Sequence, residues 1–124
     1  MITRGFFRDN SGASAVEFGI TAPLFFMLLV GVVQGAMMLW TQLGLQQGVE
    51  MGARCASVDS VLCGSTSATL SYAAQHTYGL NPPASTFTLT GAACGSQMSA
   101  RYPFPIFTSY FGSVTVTAMS CFAK

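Results

Sequence analysis

Charge is what this sequence has least of. Only 7% of its 124 residues are Asp, Glu, Lys or Arg, against about a quarter in an ordinary soluble domain. Between Glu17 and Glu50 no charged side chain occurs at all, which excludes an ordinary solvated surface over that stretch. Five basic and four acidic residues give a formal net charge of +1 without any Lys/Arg cluster, so the chain carries no electrostatic footprint for nucleic acid. Four acids, one of them Glu17 beside an apolar run, leave little for paired-carboxylate catalysis. Gly-rich phosphate loops and nucleotide fingerprints are missing. The four cysteines show no C-x₂₋₄-C spacing, which argues against zinc. The single histidine, His76, reads as a polar position on a short helix, and a Cys–His nucleophile pair would need a thiol that disulfide pairing removes. No enzymatic activity, metal or cofactor is expected. Proline is missing between Pro23 and Pro82, so nothing in that interval need break a helix.

What the chain has in abundance is apolar side chains, 51% of the total. Residues 18–40 form an apolar run interrupted only by Thr21, Pro23 and Gln34. As a helix it spans about 35 Å, a match to a hydrocarbon core about 30 Å thick. Arg4 and Arg8 precede it, and the positive-inside tendency then keeps Met1 cytoplasmic and exports the rest. A secretory signal fits poorly, because the run is too long and no A-x-A site follows it. Cys55, Cys63, Cys94 and Cys121 all fall on the exported side, where an even number favours two disulfides. Cys55–Cys63 would tie the helix end to the following turn and Cys94–Cys121 would link the connections of a small sheet, but three pairings are open.

The helical signal runs from Ala13 to about Ser57, through a membrane half at about 18–40. Gly31 and Gly35 form one small-residue pair; Gly44, Gly48, Gly52 and Ala56 form a second stripe at four-residue intervals. Each helical glycine costs up to about 1 kcal/mol relative to alanine, and close helix approach is the usual compensation. The nine residues from Gly35 to Gly44 put the stripes on roughly opposite faces, an expectation of a packed array of helices. Glu50 and Arg54 are spaced as an i,i+4 ion pair. Beyond the helix, residues 68–78 read as a short helix ended by Gly79. Residues 85–90 and 113–120 alternate as strands and residues 97–102 do so more weakly. Residues 103–112, PFPIFTSYFG, read as an aromatic loop that proline keeps out of a central strand. The expected fold class is α+β: a long N-terminal transmembrane helix (13–58) after a leader (1–12), then an exported head (59–124) with a short helix and a three-stranded antiparallel sheet.

The stretch SGASAVEFGITAPLFFMLLVGVVQG, continuing to GVEMGAR, resembles the TadE-like family of pseudopilins from tight-adherence pilus systems over about residues 12–54. In that class a basic leader ending in glycine is removed by a prepilin peptidase, and glutamate is the fifth mature residue. The resemblance therefore implies cleavage at Gly12–Ala13, an assembly role for Glu17, and a minor pilin-like subunit in the bacterial inner membrane. It implies other pilin subunits and an assembly machinery as partners, with the head periplasmic and cell-surface exposure after assembly. Gln34 stands where many relatives carry a second glutamate, which puts any role for that acid in doubt here.

Elementary electrostatics gives Glu17 a reason of its own. Cleavage would create an amine on Ala13, four residues away on the same helix face. A carboxylate at a membrane boundary requires a partner, and either its own chain's amine or a neighbour's could serve. Removing Arg4, Arg8 and Asp9 also leaves three basic against three acidic side chains and deletes the cytoplasmic anchor. The competing reading is a membrane-anchored exported binding module with a passive N-terminal helix.

Overall fold

The computed structural model of the chain describes residues 11–106 and 112–123; residues 1–10 of the expected leader and part of the expected aromatic loop lie outside them. A 48-residue helix, α1 (Ser11–Val58), opens the fold, with Pro23 inside it. It is long and apolar enough to cross a membrane, and none of its most apolar 18-residue window is buried within the chain. Both of its threonines are satisfied within the helix. The Thr21 hydroxyl donates to the Glu17 carbonyl at 2.9 Å and the Thr41 hydroxyl to that of Met37 at 2.9 Å, the i−4 bonding that lets threonine sit in an apolar helix.

The chain divides into two compact units, Met1–Gly35 and Ala36–Lys124. The described part of the first is helix alone, with nearly every side chain exposed. The second is a packed α+β head. In it the remainder of α1 meets α2 (Thr66–Gln75) and a sheet of β1 (Phe87–Ala92), β2 (Gly95–Phe104) and β3 (Val114–Phe122). The sheet is an antiparallel meander in the order β1-β2-β3, with Leu89 opposite Met98 and Ala100 opposite Ala118. Leu45, Val49 and Ala53, at four-residue spacing on α1, join Ala73, Phe87, Met98, Ala100, Val116 and Ala118 in one core. This is the α+β architecture expected from the sequence.

Gly44, Gly48 and Gly52 are what bring these layers together. A Cβ at Gly44 would stand 2.7 Å from the Thr77 carbonyl oxygen. One at Gly48 would stand 2.8 Å from Thr77 Cγ2, 3.0 Å from the Ala73 oxygen and 3.2 Å from the Phe87 ring. At Gly52 it would meet Met98 and, at 2.9 Å, Ala73 Cβ. The stripe is thus filled by the chain's own α2 and sheet, so it does not offer the second face expected for an array. Ala56, the last member, is half-buried. A methyl added at Gly31 or Gly35 would have nothing within 4 Å of it.

Element boundaries differ from expectation where caps and turns decide. Ser65 caps α2 by accepting from the Ala68 amide, so the helix begins at Thr66 rather than at 68. It ends at Gln75, before a turn in which Tyr78 and Asn81 take positive φ of 51° and 44°. Residues 84–86 form a single 3₁₀ turn, which delays β1 to Phe87. The aromatic loop also starts later than expected, because Pro103 and Phe104 belong to β2. β1 pairs with β2 only as far as Ala100, whereas Pro103 pairs with Thr115 of β3. At Pro103, β2 is therefore an edge, where a missing N–H costs nothing.

Candidate functional site

Glu17 sits on the exposed N-terminal stretch of α1 and is the only charged side chain from Gly12 to Val49. Ala13 lies one turn before it, also exposed, and Gly12 is helical with open space around it. One helix thus displays a small residue, the expected scissile position and a carboxylate within two turns. The residues that precede them as the expected leader are outside the described part of the chain. Gly31 and Gly35 mark an open small-residue face farther along the same helix.

The remaining candidates belong to the head. Cys55 is joined to Cys63, and Cys94 to Cys121; no cysteine is free. The first bridge closes the turn after α1, where Asp59 shapes the backbone. Its carboxylate accepts from the amides of Val61 (3.0 Å) and Leu62 (2.8 Å), while its carbonyl accepts from the Cys63 amide at 3.0 Å. An aspartate accepting from amides two and three residues on forms an Asx-turn, a local device of this residue type. The second bridge links the β1–β2 connection to the end of β3. Glu50 accepts a 2.8 Å hydrogen bond from Gln46 Nε2, so it turns toward the preceding helical turn and not toward Arg54 as the spacing suggests.

Two contacts from α1 to the sheet escape sequence reading because they join positions far apart. Gln42 Nε2 donates to the Thr117 carbonyl at 3.0 Å and the Ser57 hydroxyl to the Phe122 carbonyl at 3.3 Å. They satisfy carbonyls along the outer side of β3, which would otherwise be an open sheet edge. His76 closes α2: its Nδ1 lies 2.8 Å from the Tyr72 carbonyl oxygen and its ring 4.1 Å from the Tyr72 ring. That is a helix-end arrangement. Among the described residues no group of His, Cys, Asp and Glu is disposed to hold a metal.

With this geometry in place, comparison with known proteins is informative at one end of the chain. The family described as TadE-like protein matches residues 12–54, from the glycine before the expected cut to the last basic residue of α1. No curated protein and no solved structure matches the chain.

Proposed function

Taking the TadE-like segment at residues 12–54 as premise, we propose that this chain is a minor pilin-like subunit of a tight-adherence pilus. It is made with a basic leader and held in the inner membrane by α1 with its N-terminus cytoplasmic. A prepilin peptidase cuts it between Gly12 and Ala13, and it joins other subunits through the exposed face of α1 while the head stays on the exported side.

The observation that carries this reading is Glu17. A lone carboxylate stands on a helix that is otherwise uncharged for 32 further residues, through Val49. Desolvating an unpaired charge costs several kcal/mol, so apolar assembly around this helix requires a counter-charge. Cleavage at Gly12–Ala13 supplies one, an amine one helical turn away or on the adjoining chain. The family match that begins at Gly12 supports the same position for the cut.

The reading is tested by separating processing from assembly. A Gly12→Leu chain should keep its leader and accumulate in the inner membrane. A Glu17→Gln chain should lose its leader normally yet fail to enter sheared pilus material. Normal pilus incorporation of both variants would sink the proposal.

A further inference from the structure

An apolar groove of about 330 Å³ lies in the head, walled by Met37, Trp40 and Thr41 of α1 and by Leu80, Tyr102, Phe104 and Pro105. Among the described residues, no charged side chain lines it. Trp40 and Met37 are 58% and 59% exposed, although both sit beside a packed core. The Tyr78 ring, 60% exposed, stands 6.5 Å from that of Trp40. Large apolar and aromatic groups left open around a concave surface need an occupant.

The position of the groove in the chain says which. Met37 and Trp40 are the closing residues of the uncharged run 18–40, and Thr41 is the first residue of α1 to be buried, at 3% exposure. The groove therefore begins where the apolar run ends. As a helix that run is a few ångströms longer than a hydrocarbon core, which sets Trp40 at headgroup depth, where Trp and Tyr concentrate. The charges of the head lie away from the groove. Arg101 alternates with Tyr102 along β2 and so stands on the other sheet face, the face of Met119. The head's described acids, Glu50 and Asp59, are at least nine residues farther along the chain from Thr41, toward or beyond the other end of α1.

We propose that this groove is a phospholipid site. The upper acyl segment of an outer-leaflet lipid lies against Trp40, Leu80, Tyr102 and Phe104. The proposal rests on the membrane-anchor reading above. It adds that the head itself sits on the bilayer surface, so leaving the membrane for an assembly exchanges a lipid for a neighbouring subunit.

Trp40 is the chain's single tryptophan, which allows the two readings to fail separately. The full chain is reconstituted in phosphatidylcholine–phosphatidylglycerol vesicles whose acyl chains are brominated near the headgroup. In the unaltered chain Trp40 should be quenched; no quenching would overturn the anchor and the groove together. In a Trp40→Phe background, a single indole is then placed at the groove by Phe104→Trp or, at the exposed rim, by Pro105→Trp. A control places it by Met119→Trp on the opposite sheet face, where Met119 is 63% exposed. Indoles at the groove should be quenched at least about twofold more than the control, as interfacial side chains are. Quenched Trp40 with groove indoles no more affected than the control would overturn the lipid site and leave the anchor standing.

Discussion

Replacing Gly48 by alanine is the sharpest probe of how the head is held together. An added methyl would lie 2.8 Å from Thr77 Cγ2, 3.0 Å from the Ala73 carbonyl oxygen and 3.2 Å from the Phe87 ring. Ala73 is fixed by α2, Thr77 by the turn after it and Phe87 by β1, so relief requires moving an element and not merely turning a side chain. Overpacking of this kind costs about 1–3 kcal/mol, and the upper part of that range applies when backbone must yield. Alanine returns about 1 kcal/mol of helix propensity. The net expectation is a loss of about 1–2 kcal/mol, or about 4–16 °C in Tm for a unit of this size. The assay is thermal unfolding of the full chain in detergent, followed by near-UV circular dichroism, which reports the packed aromatic side chains of the head. Gly35→Ala is the control, because nothing lies within 4 Å of its methyl and propensity alone should leave the head's Tm unchanged. A Gly48→Ala chain as stable as the unaltered one would refute the close approach of α1 to α2 and the sheet.

Two further outcomes follow from the head. Cys94 and Cys121 are exposed while Cys55 and Cys63 are 8% exposed each, so mild reduction followed by alkylation and mass spectrometry should label Cys94 and Cys121 first. Removing that bridge, which joins positions 27 residues apart, should lower the head's stability by about 3 kcal/mol in denaturant titration. Gln42→Ala should cost about 0.5–1.5 kcal/mol in the same titration, because the Thr117 carbonyl loses its 3.0 Å donor.

Much of this architecture is legible in the sequence wherever a local rule is enough. The long helix is readable because no proline falls between Pro23 and Pro82 and the apolar run is unbroken by charge. Alternating Thr and Val in residues 113–120 mark β3 in the same way. Local rules end where partners are distant. Four-residue glycine spacing announces a close approach, yet nothing in the spacing says that Thr77, Ala73 and Met98 of the same chain fill it. Pro103 looks like a strand terminator, and only the early end of the β1–β2 pairing at Ala100 makes it acceptable inside β2. Glu50 has two helical neighbours of suitable spacing, and its hydrogen bond to Gln46 in place of Arg54 is a choice between interactions of similar small size. For the site, residue identity does most of the work. Gly12, Ala13 and Glu17 are legible as a pattern, whereas the groove at Trp40 draws its other wall from Leu80 and from residues 102–105 and so emerges only from the fold.

The central claim is that Glu17 stands on this helix to meet an amine created at Ala13. N-terminal sequencing of the protein extracted from membranes of cells that contain the pilus machinery tests it most directly. A chain beginning at Ala13, with Glu17 as its fifth residue, is the predicted result; a chain that still begins at Met1 would contradict the account.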